Sequence, residues 1–80
     1  MGTKQNPGPY DCYVKLAPDE PYFVLRAKDA TAPRVVREWV RQRRLEAAVT
    51  GAPITPEYGW KLDEALRCAD EMERWKQEHP

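Results

Sequence analysis

Between two stretches of helical periodicity lies "GAPITPE", residues 51–57, and its punctuation constrains the fold more than any other feature. Gly51 and Pro53 stop the helix before them, because glycine accepts the left-handed C-terminal conformation and proline cannot continue the hydrogen-bond ladder. Thr55-Pro56-Glu57 then starts a second helix. Threonine caps it, proline sits where no intrahelical donor is missed, and the carboxylate lies beside the positive end of the helix dipole. So short a connection joins antiparallel neighbours, so the chain is predicted to contain an αα-hairpin.

The first helix is predicted over 30–49. Asp29 is its N-cap, able to accept the N–H groups of Thr31 and Ala32, with Pro33 in the first turn. Asp29 therefore reads as a cap rather than a catalytic acid. Val35, Val36, Trp39, Val40, Leu45 and Ala47 recur at helical spacing as one apolar stripe. The second helix is predicted over 56–77, with Tyr58, Leu62, Ala65, Leu66, Ala69 and Met72 inward and Cys68 and Trp75 broadening the stripe.

Charge divides sharply between the two. Arg34, Arg37, Arg41 and Arg44 step i, i+3, i+7, i+10, with Arg43 nearby. At 1.5 Å per residue they span about 15 Å of one face. From Arg34 to Glu46 five Arg against two Glu leave plus three, whereas from Glu57 to Glu78 seven acidic against four basic residues leave minus three. An arginine row suits bidentate contact to phosphates or carboxylates, and part of it can equally face the acidic helix. The sequence leaves both readings open.

Residues 1–9, with two Pro and two Gly, read as a mobile arm ahead of a single domain over 10–80. Two extended segments are predicted within 10–28, "YDCYVKL" and "PYFVLRAK", joined by the turn-forming "APDE". Pro21 confines the second to an edge. Alternation puts Phe23, Leu25 and Ala27 on one face and Tyr22, Val24, Arg26 and Lys28 on the other. Arg26 and Lys28 then either lay their stems on a solvated face or stand beside the next helix N-terminus, where dipole and N–H groups favour anions. The fold class is α+β, mostly helical: a short β-hairpin or extended N-terminal segment followed by an antiparallel αα-hairpin.

Eighty residues bury only about 60% of the unfolded surface. The large apolar groups number three Trp, four Tyr, one Phe, five Leu and two Met, a thin core. Two helices and a small ribbon cannot enclose both stripes, and Trp39, Trp60 and Trp75 leave apolar surface seeking cover, so a homodimer or higher oligomer is expected.

Thirteen basic and thirteen acidic residues cancel. This argues against non-specific nucleic-acid or membrane binding, and the acidic second helix disfavours duplex DNA. Cys12 and Cys68 form no disulfide framework, no other residues complete a metal site or call for a cofactor, and the only histidine, His79, is next to last. Without a membrane-spanning run or signal pattern the chain is expected in the cytoplasm. No nucleophile–base pair, P-loop or dinucleotide fingerprint appears, so it is read as a non-enzyme.

The run "DEPYFVLRAKDATAPRVVREWVRQR" resembles small phage and prophage proteins that share an E-P-x-F-V-L-R-A-x-D-x-x-A-P-x-x-V-R-x-W segment. The matching positions are Glu20, Pro21, Phe23, Val24, Leu25, Arg26, Ala27, Asp29, Ala32, Pro33, Val36, Arg37 and Trp39. Ala69, Asp70, Met72, Glu73 and Trp75 resemble the tail of the same group, so the likeness covers about residues 17–76. It implies a phage accessory protein in the cytoplasm of an infected bacterial host, and no activity. Together these features suggest a stoichiometric binder that sequesters an anionic nucleotide-type ligand used in host defence. Arg26, Lys28 and Arg37 would clamp phosphates, with Arg34 and Arg41 of the row beside them, while Tyr22, Trp39 or Trp60 stack on bases. The alternative is an inhibitor that binds a host protein through its basic helix or its tryptophans.

Overall fold

Both predicted helices form in the computed structural model, which describes residues 1–80: α1 spans Ala32–Thr50 and α2 spans Pro56–Glu78. α1 starts two residues later than its sequence suggests. Two successive turns occupy the approach, with the Asp29 N–H donating to the Arg26 carbonyl at 3.0 Å and the Ala32 N–H to the Asp29 carbonyl at 3.0 Å. Asp29 still braces this entry, since its Oδ1 accepts the Thr31 N–H at 2.9 Å. Thr31 is the N-cap and makes no side-chain capping bond. At the far end Gly51 adopts φ 73°, and a Cβ there would meet nothing within 4 Å, so glycine is needed for its backbone alone. α2 is capped as the sequence reads, Thr55 Oγ1 accepting the Tyr58 N–H at 3.2 Å.

The helices pack antiparallel, as the ion pairs Arg37–Asp70 and Arg44–Asp63 require, one number rising as the other falls. Their seam buries Val40, Leu62 and Ala65, each 1% exposed, and Ala32, Pro33 and Ala69 are buried along the hairpin. Met1, Val36, Tyr58 and Leu66 pack around the central three. Val35, Trp39 and Leu45, predicted inside the α1 stripe, are instead exposed, as is Trp75 on α2. Each helix has one neighbour, so only a narrow arc is covered: Val36, Val40 and Ala47 fall in it, and residues one step of about 100° away do not.

The β-hairpin expected over 10–28 is absent; the chain has no strand. Local turns use the donors that a ladder would need. Asp11 Oδ1 takes the Tyr13 N–H at 2.9 Å, a single 3-10 turn covers Tyr13–Lys15, and the Glu20 N–H returns to the Ala17 carbonyl at 3.1 Å. Pro18 and Pro21 have no N–H to give. From Pro21 to Leu25 no backbone group is hydrogen-bonded within the chain. The predicted facing survives only at Leu25 and Ala27, which are half-buried, while Phe23 is 86% exposed. Residues 1–9 hold no helix or strand; Thr3 and Asn6 exchange backbone hydrogen bonds at 2.9 and 3.1 Å.

The accessible surface is 6596 Å². A compact monomer of this mass would expose roughly 5,000 Å². About 1,600 Å² is thus left uncovered beyond what a chain of this size needs to show to water.

Candidate functional site

The arginine row is largely spent inside the hairpin. Arg37 Nη2 reaches Asp70 Oδ1 at 2.8 Å and also pairs with Glu73, so one guanidinium of α1 bridges two carboxylates of α2. Hydrogen bonds to Asp70 and then Glu73 raise its pKa, holding the cation in place. Arg41 grips Glu38 on its own helix with two bonds, Nε to Oε2 at 2.8 Å and Nη2 to Oε1 at 2.7 Å, and Gln42 adds a third at 2.9 Å. These bonds, Arg41 foremost, pull the Glu38 carboxyl down to about 2. Arg44 lies 3.5 Å from Asp63, and Arg43 sits 3.9 Å from Glu46 with its guanidinium 5.1 Å from the Tyr58 ring centre.

Arg26, Lys28 and Arg34 are different: none forms an ion pair, and all three are exposed. They flank the N-terminus of α1, where sequence reasoning placed an anion. The backbone donors there are already used, however. Thr31 N–H goes to the Asp29 carboxylate, Ala32 N–H to the Asp29 carbonyl, and the Arg34 and Val35 N–H groups to the Thr31 carbonyl at 3.1 and 3.2 Å. Pro33 has none. The dipole's positive end already holds a carboxylate, so an anion at this place would rely on side chains alone.

The aromatic residues do not join those cations. Tyr22 stacks edge-on with Tyr13, ring centres 6.0 Å apart, and lines a surface hollow of about 370 Å³ with Val14, Leu16, Pro18 and Glu20. Trp39 and Trp60 stand exposed on separate helices. A second hollow, of about 210 Å³, lies where Ala27, Ala30 and Pro33 meet Glu73, Lys76 and Gln77 of α2, and includes neither Arg26 nor Lys28.

A feature that sequence reasoning missed lies at the bend. The Tyr58 ring is flanked by Arg43 and by Lys61, whose Nζ is 5.5 Å from its centre, beside a hollow of about 250 Å³ bordered by Thr50, Ile54 and Thr55. The Tyr58–Lys61 contact is an i, i+3 pair and was readable from spacing. Arg43 joins only through the antiparallel pairing. Cys68 is half-buried, and desolvation first, then Glu71, raises its thiol pKa, so it stays protonated. No three His, Cys, Asp or Glu side chains gather where they could hold a metal ion, and no helix is long and apolar enough to cross a membrane. No protein-family model matches the chain, and neither a curated protein nor a solved structure matches it.

Proposed function

We propose that this chain is a small phage accessory protein that works by stoichiometric binding to a host protein in the infected bacterial cytoplasm. The observation that carries the reading is the surplus exposure of about 1,600 Å² over a compact monomer, together with the large apolar side chains left exposed. A standard complex buries about 800 Å² per partner, so this surplus matches one or two such interfaces. Val35, Trp39, Leu45 and Val49 offer an apolar strip on α1 away from the hairpin seam, and Trp60 and Trp75 stand out from α2. Tryptophan and arginine are the residue types whose truncation most often weakens an interface.

A second reading retains one specific observation. Arg26, Lys28 and Arg34 form no ion pair whereas Arg37, Arg41 and Arg44 do, which supports an anionic nucleotide as ligand. The two readings separate in one pair of experiments. Captured from bacterial lysate, a host target should be retained at a fixed ratio by the wild type and about 30-fold more weakly by Trp39→Ala, the loss typical of an interface anchor. A nucleotide ligand would instead raise the melting temperature by mass action, and Arg26→Ala would remove that rise. Retention indifferent to Trp39 overturns the first reading, and a flat thermal shift across nucleotide monophosphates, cyclic dinucleotides and ADP-ribose overturns the second.

A further inference from the structure

The apolar stretch Pro21–Leu25 makes no backbone hydrogen bond to the rest of the chain. Four N–H groups, at Tyr22, Phe23, Val24 and Leu25, and five carbonyls have no partner in the chain. At each end one backbone group is already used: the Glu20 N–H is held by Ala17, and the Arg26 carbonyl accepts from Asp29. The residues between have strong strand preference, and Tyr22, Phe23 and Val24 project into water. An unpaired run of this kind is a template for another strand.

We propose that residues 21–25 pair antiparallel with the same residues of a second copy. The choice of a second copy rests on self-complementarity. Two identical antiparallel strands related by a two-fold axis face each other with residue numbers that sum to an even constant. At a sum of 46, Phe23 meets Phe23, Tyr22 meets Val24, Pro21 meets Leu25, and Glu20 meets Arg26. Every apolar residue faces an apolar one and both ends close with opposite charges, the arrangement that favours cross-strand pairs. Shifting the sum to 44 sets Glu20 against Val24, and to 48 sets Tyr22 against Arg26.

Proline settles which pairs carry the hydrogen bonds. Pro21 has no N–H, so it must stand at a position whose N–H points away, and Phe23 and Leu25 then do the same. Tyr22 and Val24 exchange their N–H and carbonyl groups across the axis, four bonds in all, and Phe23 becomes the close, non-hydrogen-bonded pair. The Arg26 guanidinium, which has no ion partner of its own, gains Glu20 of the second copy, whose Oε1 also accepts the Ala17 N–H at 3.1 Å. This goes beyond the binding of a host protein: the partner is the chain itself, the segment lies outside α1 and α2, and loss of one leaves the other standing.

Sedimentation equilibrium between about 1 and 200 µM should give a dimer for the wild type. Glu20→Arg and Arg26→Glu should each weaken it about ten-fold, since the symmetric contact is lost twice and replaced by like charges. The double exchange should restore affinity to within about two-fold, which a merely structural role for either residue would not do. Both positions lie outside the helices, so far-ultraviolet circular dichroism should not change. In a Cys12→Ser, Cys68→Ala background, Phe23→Cys should form a disulfide dimer under mild oxidation. Its Cα atoms would lie about 4.5 Å apart, whereas those of Tyr22→Cys would be about 7–8 Å apart and should cross-link poorly. A wild type that is monomeric at 200 µM, a double exchange that fails to recover, or equal cross-linking of the two cysteine variants would overturn the proposal.

Discussion

Leu62→Ala tests whether the hairpin depends on its seam. Leu62 is 1% exposed and, with Val40, is the largest side chain that the fold buries completely. Truncating a fully buried leucine costs about 2–5 kcal/mol, rising with the volume of the cavity left behind. Here the surroundings include Met1 and Leu66, half-buried groups at the edge of the cluster that can relax inward. The cost should therefore fall in the lower half of that range, about 2–3 kcal/mol. Domains of 80 residues are stable by roughly 4–12 kcal/mol, so the change removes a large share of the total. At about 4–8 °C per kcal/mol, the melting temperature should drop by about 8–24 °C. Leu45→Ala, at a side chain 48% exposed, is the matched control and should change stability by less than about 1 kcal/mol. The assay is thermal and urea unfolding followed at 222 nm, repeated at several protein concentrations because self-association would add a concentration-dependent term. Equal losses for Leu62→Ala and Leu45→Ala would refute the reasoning, since the buried face would then not be the one described.

Glycine substitutions should split by backbone conformation. Gly59 lies inside α2 with open space where a Cβ would go, so Gly59→Ala should stabilise by about 0.5–1 kcal/mol, read from the same melts. Gly51→Ala meets equally open space but at φ 73°, and should destabilise by about 1–2 kcal/mol. Acid should loosen α1 in a defined window. The Glu38 carboxyl is depressed from an ordinary 4.5 to about 2. A depressed folded-state pKa contributes stability that is present above about 4.5 and lost as pH falls towards 2. Carbon-detected NMR titration of the Glu38 carboxyl should show this, and Arg41→Ala should raise its midpoint towards the ordinary range, with the Gln42 bond retaining part of the depression.

Much of the hairpin was legible because its signals are local. Thr55, Pro56 and Gly51 act through their own backbone and immediate neighbours, and each does what its residue type implies. The strands were misread for the opposite reason. A period-two pattern over Tyr22–Lys28 says that a segment could be a strand, but a strand exists only if another pairs with it. The sole candidate in the chain is drawn into turns by Asp11, Pro18 and Glu20. The apolar stripes were read too wide, since periodicity does not say how many neighbours a helix has. The destination of each arginine was beyond sequence altogether: Arg34 and Arg37 are three residues apart, yet only Arg37 meets Asp70 and Glu73, because the register of two packed helices decides it.

That register bears on what this surface can recognise. The opposite charges of α1 and α2 look like a binding device when each helix is considered alone, but Arg37 and Arg44 neutralise carboxylates across the seam, and Arg41 and Arg43 neutralise them along α1. Exposed pairs of this sort add little stability, so their effect lies in setting which faces meet. With those cations committed, the uncommitted resources include apolar side chains, an unpaired length of backbone and the cations Arg26, Lys28 and Arg34 around the entry to α1. Arg26 is one of these cations and directly follows the unpaired backbone. If it closes a cross-strand pair with Glu20 of a second copy, an anion arriving at the α1 entry loses one of its cations and is left with Lys28, Arg34 and, across the hollow beside Ala27 and Pro33, Lys76, so dimerisation and anion binding would oppose one another through the Arg26 guanidinium.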